Sequence, residues 1–290
     1  MLIGYGMPQV STPTLTGTGA DWLSADGGTA MFDGKPARRT RIRWLSSGSP
    51  AIGQALMIAA PLAAATRPRV IGLLGLKNVP EGVSVMVAGK RTGDSSHVYT
   101  LGGGNTGVTR RMADGSIGCW LVVGEGIDPI VSLAVSIYNN LGGATWATAA
   151  TEFEIGEILL MPAVTVRLAE GWGIARLDPS VHTRTRGSQV STVQATSFRR
   201  FTGSLAGAPT ADARGGGLAN GDDWETIAAM LTGGRRCVVI PQYRTLPGSV
   251  FDAALCNRTA VYGIAIEFPG PQNIQRQYFS GTITVEEIPP

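Results

Sequence analysis

Glycine, proline, asparagine and Asp-Gly pairs interrupt this chain so often that the apolar runs between them are only long enough for strands. Gly118 to Val123, Ser132 to Tyr138, Phe153 to Met161, Cys237 to Ile240, Ala254 to Cys256, Thr259 to Phe268 and Tyr278 to Val285 are such runs. With 40 glycines and 17 prolines in 290 residues, long helical layers have little room to form. The pattern predicts a mainly β fold. The length suits two β-sandwich or β-barrel domains, the second with one short packed helix. The divisions read from the text are an N-terminal arm over 1–20, a domain over 21–165 and a domain over 166–290, with the helix near 222–232.

Charge excludes several partners. The formal net charge is +3 and is spread evenly along the chain, which does not build a polyanion-binding face, so nucleic acid is not an expected partner. Of the 24 basic residues only Lys35, Lys77 and Lys90 are lysine. Arginine makes planar bidentate pairs that suit protein interfaces, and an arginine-biased genome would leave the same mark. Cys119, Cys237 and Cys256 lack metal-ligand spacing and are odd in number, which predicts buried thiols in a chain matured in a reducing cytoplasm. The first residues show neither the basic region nor the apolar core of a signal peptide. The longest apolar run, Ala55 to Ala65, contains Pro61 and is about half of what a bilayer requires, so no membrane span is expected.

In order along the chain, residues 1–20 hold glycines, Pro8, Pro13 and alternating threonines without a hydrophobic face. Two Asp-Gly turns then precede a strand in which Ile42 and Trp44 alternate with Arg41 and Arg43, giving one apolar and one basic face. Leu101-Gly-Gly-Gly-Asn-Thr-Gly lacks the Lys-Ser/Thr ending and the following helix of a phosphate loop, and reads as a turn. Further on, Glu152 and Glu154 share one strand face and Phe153, Ile155 and Glu157 the other. Paired carboxylates can perform glycosidic acid/base chemistry, but nothing here marks a cleft.

The stretch from Arg184 to Ile240 organises the second half. Arg and Thr alternate from Thr183, an Arg199-Arg200 pair precedes Phe201, and a helix follows the Gly/Ala loop. Asp222 or Asp223 can cap it, Trp224, Ile227, Ala228 and Leu231 recur at helical spacing, and Gly233-Gly234 ends it. A helix of about ten residues is marginal alone and must cover the β-structure. Arg235 and Arg236 follow its C-terminus, where they complement the dipole or reach an acidic face of another subunit. In Thr259 to Phe268, Ala260, Tyr262, Ile264, Ile266 and Phe268 form the expected core face.

Catalytic residue types are sparse. His97 and His182 are the only histidines, and neither has a carboxylate and a nucleophile arranged beside it in sequence. Ser180 and His182 share a face in an extended segment without making a catalytic hydrogen bond. No nucleotide motif or metal-ligand cluster is present. The sequence thus predicts a non-enzyme without catalytic, cofactor or metal residues.

Several motifs carry a family resemblance. Trp22, Leu23, Phe32, Asp33, Gly34, Arg39, Arg41 and Trp44 resemble the opening of discoidin-like, galactose-binding-type jelly rolls found on phage tail proteins. The turn at Lys77 and Asn78 between two apolar strands, and Phe153, Gly156, Glu157 and Ile158, extend that likeness through 21–165. Asp178, Pro179, Ser180, Arg184, Arg186, Gly187, Gln189, Arg199, Arg200 and Phe201 resemble the second domain of phage tail-tip proteins of the distal-tail or baseplate-ring type. The resemblance implies a virion structural protein assembled in the host bacterial cytoplasm. It would form a homo-oligomeric ring, trimer or hexamer, joining the tail tube to hub or fibre components. Arg184, Arg186, Arg199, Arg200, Arg235 and Arg236 are the candidate subunit contacts. The alternative is a carbohydrate-binding protein in which Trp22, Trp120 and Trp146 stack on cell-surface glycans.

Overall fold

The computed structural model describes residues 1–17, 19–44, 55–99, 101, 106–112, 115–138, 152–184, 190–218, 221–246, 251–268 and 270–289. The protein is mainly β, with its strands in several antiparallel sheets. It divides into two compact units. The first comprises Leu2–Val164 and Ile240–Ala260, the second Thr165–Val239 and Val261–Pro289 together with Met1.

The first stretch of chain carries β1 (Leu2–Gly4), β2 (Thr14–Thr16), β3 (Ala20–Trp22), a 3-10 turn (Thr29–Phe32), β4 (Thr40–Trp44), β5 (Ala55–Thr66), β6 (Val70–Leu76) and β7 (Ser84–Lys90). It continues through β8 (Thr106–Val108), β9 (Arg110–Arg111), β10 (Ile117–Val122), β11 (Ile130–Tyr138), β12 (Glu152–Ile155), β13 (Glu157–Met161) and β14 (Ala163–Thr165). Strand order is β2-β5-β11-β7-β8 in one sheet, β13-β6-β10-β9 in a second and β12-β4-β3 in a third. All three send alternate side chains into one core. Leu56 and Ile58 come from β5, Leu133 and Val135 from β11, Ile71 and Leu73 from β6, and Ile42, Trp44 and Phe153 from β4 and β12. Each such side chain, when fully buried, stabilises the fold by about 1.5–3 kcal/mol. The unit is sandwich-like.

Residues 1–20, read from the sequence as an arm, contain strands. Leu2 and Ile3 are wholly buried, and β2 pairs with β5 from Thr14↔Ala59 to Thr16↔Met57. The buried side chains Leu2, Ile3 and Tyr5 lie at the extreme start, ahead of the polar threonines, so the segment as a whole shows no apolar periodicity.

Seven consecutive buried residues make β6 a strand covered on both faces. On its second face Gly72 lies beneath the Trp120 ring, which a Cβ would approach to 2.5 Å. The returning segment 240–260 packs against the strand that carries this tryptophan. It forms helix α3 (Ala253–Thr259) rather than the strand expected over Ala254 to Cys256. Asp252 caps it by accepting from the Leu255 amide at 2.9 Å, and the Asn257 side chain accepts from the Trp120 amide at 3.1 Å.

In the second unit follow β15 (Gly173–Leu177), β16 (Val181–Arg184), β17 (Val190–Val193), β18 (Phe198–Ser204), β19 (Ala208–Pro209), the helices α1 (Thr210–Arg214) and α2 (Trp224–Leu231), β20 (Arg236–Ile240), β21 (Val261–Glu267), β22 (Gln272–Gln275), β23 (Tyr278–Ser280) and β24 (Thr282–Glu287). Its main sheet runs β20-β21-β24-β18-β15, and β19-β23-β22 form a smaller one. Among the described residues β16 and β17 pair only with each other, from Val181↔Val193 to Arg184↔Val190. Among the described residues two helices therefore stand in this unit where the sequence predicts one, because Thr210 to Arg214 make one short turn-like helix after Pro209.

Candidate functional site

The helix α2 forms where its pattern predicted. Asp223 is the cap, accepting from the Thr226 amide at 2.8 Å, and this bond holds its carboxyl below the ordinary aspartate range. Trp224, Ile227, Ala228 and Leu231 are buried, with Trp224 edge-on to Phe268 at 6.0 Å between centroids. Gly233 and Gly234 adopt φ of 82° and 77°, the left-handed turn that ends the helix. Arg235 follows exposed, and Arg236 opens β20 half-buried.

β21 departs from its expected alternation. Its register with β24 slips between Ala265 and Glu267, so Ile266 is the extra residue of a bulge. Ile266 was placed in the core and is instead 48 % exposed. Beside it, Leu231, Thr232 and Gly233 from the end of α2 and Ala265 to Phe268 with Thr282 line a groove of about 540 Å³. Among the described residues that line it, Glu267 is the charged one, and it accepts from the Thr284 hydroxyl at 3.0 Å.

The six arginines read as subunit contacts separate into distinct environments. Arg199 is buried and committed to Glu287, donating from its backbone amide at 2.9 Å and from Nε at 2.8 Å. Arg200 donates from Nε to Glu286 at 3.0 Å, its cross-strand partner on β24. Both pair within the chain's own sheet, with acidic partners more than eighty residues away in sequence. Arg184 is exposed on β16, directly opposite Val190, and Arg235 is exposed after α2. Arg186, with Gly187 and Gln189, lies outside the described residues.

Of the tryptophans read as sugar-stacking residues, Trp22 and Trp120 lie among the described residues. Trp120 is 1 % exposed, clamped over Gly72, so its face cannot meet a solvent ligand. Trp22 is half-buried on β3 against Gly28. Trp146 lies outside the described residues, as do Gly102 to Asn105 of the glycine loop.

One pairing invisible in the sequence concerns His97. Its Nε2 lies 2.8 Å from the Ser132 hydroxyl on β11, and burial lowers its pKa, with Lys90 adding to the effect. Ser132 is 7 % exposed on a central strand, opposite Pro61 on one side and Lys90 on the other. The bond ties the excursion between β7 and β8 to the sheet. The thirty-five residues separating the two gave no local signal. His182 meets Thr192 at 3.0 Å, and Ser180 accepts from the Ala195 amide at 3.0 Å, so the two are not joined as a dyad.

The carboxylates of β12 are engaged in ion pairs. Glu152 meets Arg41 at 3.0 Å and Arg43 at 3.3 Å, and Glu154 meets Lys77 at 3.9 Å. Glu157 is fully buried and accepts from the Gly34 amide at 3.0 Å, fastening the Asp33-Gly34 turn. All three cysteines are free and buried, and burial pushes the thiols of Cys119 and Cys237 up to about 12. Among the described residues, no three histidine, cysteine or acidic side chains are grouped to hold a metal ion.

Comparison with models of known protein families finds no match, and comparison with curated proteins finds none either.

The apolar surface is unevenly shared. Among the described residues eight large hydrophobic side chains are exposed, and six of them, Val181, Val190, Val193, Ile266, Ile274 and Tyr278, belong to the second unit. The β16–β17 ribbon supplies three. Its four paired positions per strand are marginal for a free two-stranded ribbon, and its base is secured by Ser180 and Ala195.

Proposed function

We propose that the protein is a virion structural component of a phage tail tip, of the distal-tail or baseplate-ring type, which self-associates through its second unit. The single observation that carries this reading is the gathering of exposed apolar side chains on that unit, in the ribbon, at the β21 bulge and on the β22–β23 hairpin. Isolated exposed hydrophobics are ordinary on a monomer; the concentration of six of the eight on one unit, three of them on a single ribbon, is what supports a covered surface there. The motif from Asp178 to Phe201, which resembles the tail-tip family, runs through the same ribbon. The first unit, with its sandwich-like core, then serves as the body that faces tube, hub or fibre proteins. Assembly needs no cofactor.

Negative-stain electron microscopy of the purified protein tests the reading. The expected images are closed rings of three or six subunits with a central opening. Uniform single-chain particles at all concentrations would contradict it.

A further inference from the structure

We propose that the β16–β17 ribbon of one copy seats in the groove between the α2 C-terminus and β21 of a second copy, Arg184 against Glu267 and Val190 against Ile266 and Phe268. This rests on the ring reading and names its interface. Arg184 and Val190 are cross-strand partners, so a positive charge and an aliphatic side chain stand side by side on one face of the ribbon. The groove offers the matching pair, one carboxylate among Leu231, Ile266 and Phe268. The C-terminal end of α2 adds the negative pole of a helix dipole to that side of the groove.

A second copy is favoured as occupant because of this charge complementarity. The described ribbon residues carry Arg184 and His182 and no acidic group, while the described residues of the groove lining carry Glu267 and no basic group. At about 540 Å³ the groove lies within the range of about 300–1,000 Å³ that admits a buried ligand, ample for an aliphatic side chain. Val190 is 56 % exposed and Ile266 48 %, so both gain by burial. Because ribbon and groove are different surfaces, the contact is head-to-tail, the type that closes into a ring when the rotation allows.

Charge reversal tests the pairing on the full chain. Arg184→Glu places an acid opposite Glu267, and Glu267→Arg places a base opposite Arg184; each alone is expected to weaken self-association by about tenfold, most strongly at low salt. The double variant, with Arg184→Glu and Glu267→Arg in one chain, places Glu opposite Arg at every contact of a ring of any size, and the oligomer should return to wild-type strength. Ile266→Glu, at an exposed position, should give a folded monomer that the charge reversals do not rescue, with unchanged circular dichroism and cooperative thermal unfolding. An oligomer that is unaffected by all three substitutions, or single variants that weaken it while the double variant does not recover, would overturn the seating while leaving the ring reading standing. A wild-type chain that is monomeric at every concentration would overturn both.

Discussion

Arg199 and Glu287 form a buried ion pair across neighbouring strands β18 and β24, the arginine donating to the carboxylate from both its backbone amide and its guanidinium. Glu287 thereby satisfies a strand-edge amide and a charge together. Removing it would leave the guanidinium buried without its counter-charge. Glu287→Ala should lower the unfolding free energy by about 3–5 kcal/mol in a denaturant titration. A loss below about 0.5 kcal/mol would mean that water replaces the carboxylate, as at an exposed pair.

Gly156 sits between β12 and β13 where the Pro36 carbonyl passes, and a Cβ there would lie 2.1 Å from that oxygen. Backbone on the one side and a sheet on the other leave no soft neighbour to yield. Gly156→Ala should destabilise the first unit by about 1–3 kcal/mol or more, read as a lowered midpoint in thermal unfolding. Gly93→Ala is the comparison: its Cβ would meet nothing within 4 Å, but its φ of 92° makes the cost purely backbone strain.

The Asp223 cap gives a pH dependence whose sign is fixed. Hydrogen bonding to the Thr226 amide lowers its pKa in the folded chain, so the contribution is complete above the ordinary aspartate value of about 4 and is lost as pH falls through the lower folded value. Asp223→Asn keeps an acceptor and should flatten this part of the stability profile below pH 4, whereas Asp223→Ala should cost about 1 kcal/mol at neutral pH. Identical acid profiles for wild type and Asp223→Asn would contradict the assignment.

Burial makes the three thiols unreactive in the native chain. With Cys119 and Cys237 pushed to about 12 and Cys256 raised well above its ordinary value, almost no thiolate exists at pH 8. A thiol-reactive chromophore should therefore label none of the three in native buffer and all three in denaturant. Rapid native labelling of any one would place it at an opening that the packing does not contain.

The elements governed by local rules were legible. Strand β12 alternates as its text says, with Phe153 and Ile155 buried and Glu152 and Glu154 outward, and α2 begins at an Asp cap and stops at two glycines. What was not legible depended on distant partners. Arg199 and Arg200 carry no local sign of their pairing, because nothing near them in sequence announces Glu286 and Glu287. Ala254 to Cys256 has strand composition, but the Asp252 cap and the Asn257 bond to β10 make the segment a helix. Ile266 was assigned to the core by strict alternation, which a one-residue bulge reverses. That same reversal puts an aliphatic side chain at the mouth of the groove, a feature that periodicity conceals.

The most direct test of the central claim, self-association through the second unit, is the mass of the purified chain by light scattering behind a sizing column over a wide concentration range. The account predicts a discrete species of three or six chains that persists on dilution and dissociates when Ile266 is replaced by Glu. A mass of one chain at every concentration would contradict it.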